Sequence, residues 1–166
     1  MLDGTAYTAA PFRVIELSGD DLALMRGANQ LFGDAFEDID RYHAMPPSDD
    51  HLHQLLVSPH FIALVACESD TVIGAITAYE LVKYEQDARE IYLYDLAVDE
   101  HHRRQGVATE LIEHLRFIAA RRDAEVVFVQ ADGDDLEAIA LYQRFSQQRA
   151  VYHFDIEPMP SPRDDR

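Results

Sequence analysis

Between Glu90 and Ala131 the sequence reads strand, helix, strand, and this stretch constrains the fold more than any other. Glu90 to Val98 is rich in aliphatic and aromatic residues and predicts a strand. Gly106 to Arg121 carries Leu111, Ile112, Leu115 and Ile118 at helical spacing. Val126 to Ala131 is a short apolar run that predicts a buried strand. A helix of that length between two strands is a crossover, which returns the chain parallel to the first strand and lays the helix on one sheet face.

The first half has a different rhythm. Phe61 to Cys67 and Val72 to Leu81 are strands joined by Glu68-Ser69-Asp70-Thr71, a hairpin signal. Phe12 to Leu17 predicts a short first strand. Ser18 is the expected N-cap of a helix through Phe36, with Asp20 and Asp21 in its first turn and Leu22, Met25, Leu31 and Phe32 on its apolar stripe. Ser48 is the expected cap of a second helix that stops before Pro59. Asp135 to Phe145 predicts a helix and Val151 to Ile156 a last strand. The order β-α-α-β-β-β-α-β-α-β is a mixed α/β (α+β) arrangement, hairpins first and crossovers second.

At 166 residues the whole chain, 1–166, is expected to form one domain, with 1–11 and 158–166 as short tails. Lys plus Arg is 14 and Asp plus Glu is 31, for a net charge of −17. That balance argues against nucleic acid and against an anionic membrane surface, because both need clustered cations. A field of this sign attracts cations such as polyamines and amino-sugars, although it also serves solubility alone. The single Cys67 lies in an apolar run and forms no internal disulfide, which suits a reducing cytoplasm and an inert thiol. The start of the chain lacks the pattern of a signal peptide, and no segment has the apolar length to span a bilayer, so a cytoplasmic protein is expected.

The chemistry concentrates where Tyr94-Asp95-Leu96-Ala97-Val98 runs through a polar connection into Arg103-Arg104-Gln105-Gly106-Val107-Ala108-Thr109. A strand enters a basic, glycine-bearing turn that opens a long helix. The first amides of such a helix have no intrahelical partner and lie at the positive end of its dipole. Two arginines beside them, with a glycine that lets the backbone approach closely, form an anion site sized for a diphosphate. It is neither the three-glycine dinucleotide fingerprint nor the lysine-bearing phosphate loop. A solvated basic turn is the plain alternative. His101 and His102 are adjacent and share no helix face, so no metal site is expected there, and an exposed loop is.

These residues resemble the GNAT superfamily of N-acetyltransferases. Arg103, Gly106 and Ala108 fill the positions of its acetyl-CoA motif, Leu96-Ala97-Val98 precedes them, and Ala140-Leu141-Tyr142 matches a second motif. Ser146 stands where the family usually has glycine. The runs FIALVAC, VIGAITAYELVKYEQ, EIYLYDLAV, EHHRRQGVATELI, VVFVQADGDD, AIALY and HFDIEP look like the gentamicin-type aminoglycoside 3-N-acetyltransferases over nearly the whole chain. The resemblance implies the GNAT fold, with a mixed central sheet of about six or seven strands flanked by about four helices. It also implies acetyl-CoA (CoA) as co-substrate, a polycationic aminoglycoside as acceptor, antibiotic resistance as consequence, and direct transfer in a ternary complex without a metal.

Roles follow from the resemblance residue by residue. Leu96, Ala97 and Val98 pair by their backbone with the pantetheine arm, and the amides around Arg103, Arg104, Gln105, Gly106, Val107, Ala108 and Thr109 receive the pyrophosphate. A backbone amide near Leu96 stabilises the developing oxyanion. Asp95, beside Tyr94, is the first choice for the base or the carboxylate that holds the acceptor, and Glu90 is the second. In an ideal strand Glu90 and Tyr94 face away from Asp95, so both acids reach one cleft only across a bulge. Asp134 and Asp135 are candidates for clamping ammonium groups, although acids at a helix start also serve as caps. Tyr142 is the expected proton donor to the CoA sulfur.

Two other readings stay open. One is a GNAT enzyme for another cationic amine, a polyamine or a protein lysine. The other is a non-catalytic acidic module that binds CoA or a basic partner. A homodimer is possible on either.

Overall fold

A computed structural model describes residues 11–38, 42 and 44–159. The chain divides between Gln130 and Ala131 into two units.

The first unit is built on one sheet of five strands: β1 (Arg13–Glu16), β2 (Phe61–Glu68), β3 (Thr71–Val82), β4 (Arg89–Val98) and β5 (Ala124–Val129), lying side by side in chain order. The first three neighbour pairs are antiparallel, and β4–β5 is parallel, as the crossover between them requires. The expected hairpin is present: Ser69 takes a positive φ of 55° in the turn between β2 and β3. From Phe61 to Cys67 every residue of β2 is buried, so this continuous apolar run is covered on both faces.

Helices α1 (Leu22–Ala35) and α2 (Asp49–Leu56) cover one face, with Met25, Ala28, Phe32, Leu52 and Leu56 packed on Phe61, Ala63 and Val65. Helix α3 (Val107–Arg121) covers the other. Its predicted stripe is the buried one: Leu111 and Leu115 are at 0% exposure, Ile112 and Ile118 at 5% and 4%. Full burial of each such side chain stabilises by about 1.5–3 kcal/mol. Gly74 of β3 sets how closely α3 approaches, because a Cβ there would lie 2.6 Å from Val107 Cγ1 and 3.1 Å from Leu111 Cδ1. Burial of Cys67 in this core pushes its thiol pKa up.

A buried carboxylate ties the far end of the sheet together. Glu80 of β3, with its side chain 9% exposed, meets Arg122 Nη1 at 3.1 Å and Arg89 Nε at 3.4 Å. Arg122, just past α3, also donates to the Pro59 carbonyl at 2.7 Å.

Helix α2 begins as expected, with Ser48 Oγ accepting from the His51 amide at 3.2 Å. Helix α1 does not. Its cap residue is Asp21, and Ser18 instead donates through its amide and hydroxyl to Asp21 Oδ2, at 2.8 and 2.7 Å. The Asp21 carboxylate outcompetes the Ser18 hydroxyl as the local acceptor, and the helix starts three residues later than predicted. Strand β5 is not buried as predicted. Among the described residues it has a single strand neighbour, and Val126 is 44% exposed.

The second unit holds helix α4 (Leu136–Tyr142), capped by Asp135, and no strand among its described residues. Among the described residues the sheet therefore has five strands rather than six or seven, alongside the four α-helices named above. Val151 to Ile156, the expected last strand, is exposed and outside regular structure. Its apolar alternation favours an extended chain, but a strand also needs a neighbour to take up its N–H and C=O groups. No helix of the described residues is long and apolar enough to cross a membrane.

Candidate active site

Strand β4 is where the predicted residues gather, and its two edges differ. Along β3 it is paired from Arg89 to Val98, but along β5 the ladder ends at Leu93↔Val129. Residues 94–98 therefore have a strand partner on one side only among the described residues. Backbone groups on such an open edge pair readily with an extended, amide-bearing ligand. Leu96, Ala97 and Val98, the residues expected to meet the pantetheine arm, are on it.

The expected diphosphate site lies past the end of this strand. Gly106 precedes α3 at φ +88°, a left-handed conformation that a residue with a Cβ adopts only with strain. The helix start carries no side-chain cap, and a Cβ on Gly106 would meet nothing within 4 Å. Space, absent cap and helix polarity together fit a bound anion. The loop is held from behind: Arg103 Nε donates to the Val98 carbonyl at 3.4 Å and Gln105 Nε2 to the His101 carbonyl at 2.9 Å. Arg104 takes φ +60° in the same turn and is exposed. Val107 is buried under the sheet, whereas Ala108 and Thr109 are half-buried in the first turn.

His101 and His102 belong to a short 3₁₀ turn, Glu100–His102, rather than to an open loop. His102 Nδ1 lies 2.7 Å from Asp99 Oδ1 and its Nε2 3.6 Å from Glu68. The Asp99 hydrogen bond raises the His102 pKa above its usual value, and the same bond lowers that of Asp99.

The bulge that would bring both acids to one face is present. Leu93 pairs with Ala78 and Asp95 with Thr77, so Tyr94 is the extra residue. Beyond it Asp95 joins the face of Glu90 and Tyr92, the face that α1 and α2 cover. Sharing a face does not make them one site: their β3 partners, Thr77 and Leu81, are four residues apart, about 13 Å along a strand. Glu90 is held by Lys83 Nζ at 3.0 Å. Asp95 accepts from Thr77 Oγ1 at 3.3 Å and lines a cavity of about 150 Å³ with Asn29, His51, Phe61, Tyr79 and Tyr94.

Sequence reasoning did not single out Thr77, Tyr79 or His51. Tyr79 and Thr77 alternate along β3 toward one face, a usable signal once the strand's covered face is known. His51 is on the second helix, with no local pattern to mark it. Burial, followed by the neighbouring Tyr94 and Asp95, raises the Tyr79 pKa and keeps its phenol protonated.

In the second unit Asp135 is a cap: its carboxylate accepts from the Ala138 amide at 2.9 Å. Asp134 is exposed. Tyr142 is half-buried and ends α4, its carbonyl accepting from the amides of Phe145 and Ser146 at 2.9 and 3.1 Å. Ser146 thus closes the helix where the family motif has glycine.

Comparison with known proteins gives concordant results. The pattern of the acetyltransferase (GNAT) family matches residues 27–146. The crystal structure of an aminoglycoside acetyltransferase from an uncultured soil metagenomic sample is 45% identical, with a TM-score of 0.87, covering 89% of this chain and 99% of that one. A second soil metagenomic aminoglycoside acetyltransferase, solved in complex with sisomicin, is 29% identical with a TM-score of 0.83, covering 89% and 97%. The ribosomal protein bS18-alanine N-acetyltransferase of Escherichia coli (strain K12) is 27% identical over 92 residues, which span 55% of this chain and only 61% of that relative. A family pattern matched over well more than half of the sequence, and a 45% identical relative spanned almost end to end, show that this chain belongs to the GNAT family of acetyltransferases.

Proposed function

We propose that this acetyltransferase is an aminoglycoside N-acetyltransferase acting on the 3-amino group by direct transfer in a ternary complex. The observation that carries the reading is the 45% identity to an aminoglycoside acetyltransferase across nearly all of both chains. The position of Asp95, in a cavity beside the open edge of β4, supports it. So does the second metagenomic relative, an aminoglycoside acetyltransferase solved in complex with sisomicin.

Acetyl-CoA, when bound, supplies the acetyl group as a thioester. The chain's own residues do the rest. The open backbone at Leu96, Ala97 and Val98 aligns the donor, and the amides and side chains from Arg103 to Thr109 take its pyrophosphate. An amide near Leu96 donates to the oxygen that gains charge, a contribution of the kind worth about 10²–10³ in rate. Asp95 holds the acceptor's ammonium group and takes its proton, freeing the amine to attack the carbonyl carbon. As the C–S bond breaks, the Tyr142 hydroxyl gives its proton to the sulfur. Asp95 is preferred to Glu90 because Lys83 occupies Glu90. Asp134 clamps a second ammonium, and Asp135 serves the helix it caps.

The test is incubation with gentamicin and acetyl-CoA, followed by NMR assignment of the acetylated nitrogen. Acetylation at the 3-amino group is the expected result. The bacterial relative favours a second reading, transfer to a protein amine. Turnover on a peptide with an N-terminal alanine or on spermidine, with none on gentamicin, would establish a different acceptor.

A further inference from the structure

One row of the sheet is aromatic on four adjacent strands. Phe61 of β2 pairs with Tyr79 of β3, Tyr79 with Tyr92 of β4, and Tyr92 with Phe128 of β5. Tyr94, the bulge residue, stands into this row: its ring is at 85° to Tyr79 and 80° to Tyr92, with centroids 5.6 Å from each. Tyr92 and Phe128 stack at 4.9 Å and 10°. The row ends inward on buried Phe61, but Tyr79 is 36% and Tyr94 50% exposed. The next row holds Thr77 and Asp95, joined by their hydrogen bond.

Core packing accounts for Phe61, and it does not account for two exposed tyrosine rings set at right angles beside a carboxylate. Resting on the aminoglycoside reading above, we infer that Tyr79 and Tyr94 form the acceptor platform that selects a saturated amino-substituted ring over an open-chain polyamine. The two perpendicular faces make a corner. A puckered ring, with C–H groups pointing in several directions, touches both walls of a corner, whereas a flat base touches one. An ammonium carried on such a ring lies over a tyrosine face, where the ring quadrupole attracts it, and within reach of Asp95. A flexible polyamine satisfies Asp95 without using the walls.

The inference separates two acceptor classes and is tested on both. Gentamicin and spermidine are titrated calorimetrically into the acetyl-CoA-free protein, wild type, Tyr79→Leu, Tyr79→Phe and Tyr94→Leu. The expected result is about a tenfold loss of gentamicin affinity in Tyr79→Leu and Tyr94→Leu, with spermidine unchanged and Tyr79→Phe close to wild type. Unchanged acetyl-CoA affinity and melting temperature keep misfolding out of the comparison, and Tyr94→Leu, at the more exposed ring, is the second probe should Tyr79→Leu fold poorly. Equal losses for both ligands, or no loss for either, overturn the platform while leaving acetylation of gentamicin by the wild type intact. If the wild type acetylates no aminoglycoside, yet still binds gentamicin in the tyrosine-dependent way, the function reading falls and the platform stands. Absence of gentamicin binding to the wild type overturns both.

Discussion

Thr77 donates to Asp95 across the β3–β4 ladder at 3.3 Å, and the bulge at Tyr94 is what makes these two residues partners. Without the extra residue Thr77 would oppose Tyr94, and Asp95 would point into the face that α3 covers. One inserted residue thus decides whether the carboxylate is in the core under α3 or in the cavity with Tyr79 and His51. The hydroxyl also fixes which Asp95 oxygen is turned toward β3.

Asp95→Asn should lower acceptor kcat/KM by at least about tenfold, since charge-assisted hydrogen bonds contribute about 1.5–3 kcal/mol. If Asp95 takes the proton, the acidic limb of the kcat profile should vanish with it. Acetyl-CoA affinity should hold, because the donor meets backbone here. Steady-state kinetics across pH and donor titration give both readouts, and an unimpaired variant would remove Asp95 from the mechanism.

Tyr142→Phe preserves the ring and deletes the proton. It should reduce kcat more than it changes the acceptor KM. A wild-type kcat in this variant would assign sulfur protonation to water or to another group.

At Gly106 strain and charge need separate controls, because the φ of +88° penalises any side chain. Gly106→Asn and Gly106→Asp share that backbone cost, but only the second puts a negative charge at the start of α3. Calorimetry should show acetyl-CoA affinity lost far more in Asp than in Asn. Equal losses would mean that the pyrophosphate does not rest there.

Glu80 is the stability test. Its carboxylate is nearly buried against Arg122 and Arg89, so Arg122→Ala leaves a charge without its closest partner. A loss of about 3 kcal/mol is expected in chemical denaturation. A loss below about 1 kcal/mol would class the network with exposed surface pairs.

The Asp99–His102 pair predicts a pH window. The raised His102 pKa means its contribution is complete below the ordinary histidine value of 6.5 and fades as pH rises through the folded value. The lowered Asp99 pKa means its contribution is complete above 3.8 and fades as pH falls through the folded value. The melting-temperature gap between wild type and His102→Gln should therefore be widest between these two pH values and shrink toward pH 8. A gap that does not change with pH would show that the pair contributes packing and no charge.

Much of this protein was legible from local pattern. The stripe on α3, the hairpin at Ser69, the Ser48 cap and the strand–turn–helix around Gly106 all depend on neighbours within a few residues, so spacing alone specifies them. Arg103, Gly106 and Ala108 stood out instead by their resemblance to the GNAT acetyl-CoA motif. The tertiary structure decided the rest. Both Ser18 and Asp21 can cap a helix, and only the folded turn shows that Ser18 donates to Asp21. The apolar run of β5 reads as buried, yet burial depends on what lies beyond its outer edge. Val151 to Ile156 has the alternation of a strand, but alternation supplies no partner. Most of all, the aromatic row from Phe61 to Phe128 and the Thr77–Asp95 contact pair residues 13 to 36 positions apart in sequence. Strand register and one bulge create those contacts, and register is a property of paired strands that no single segment contains.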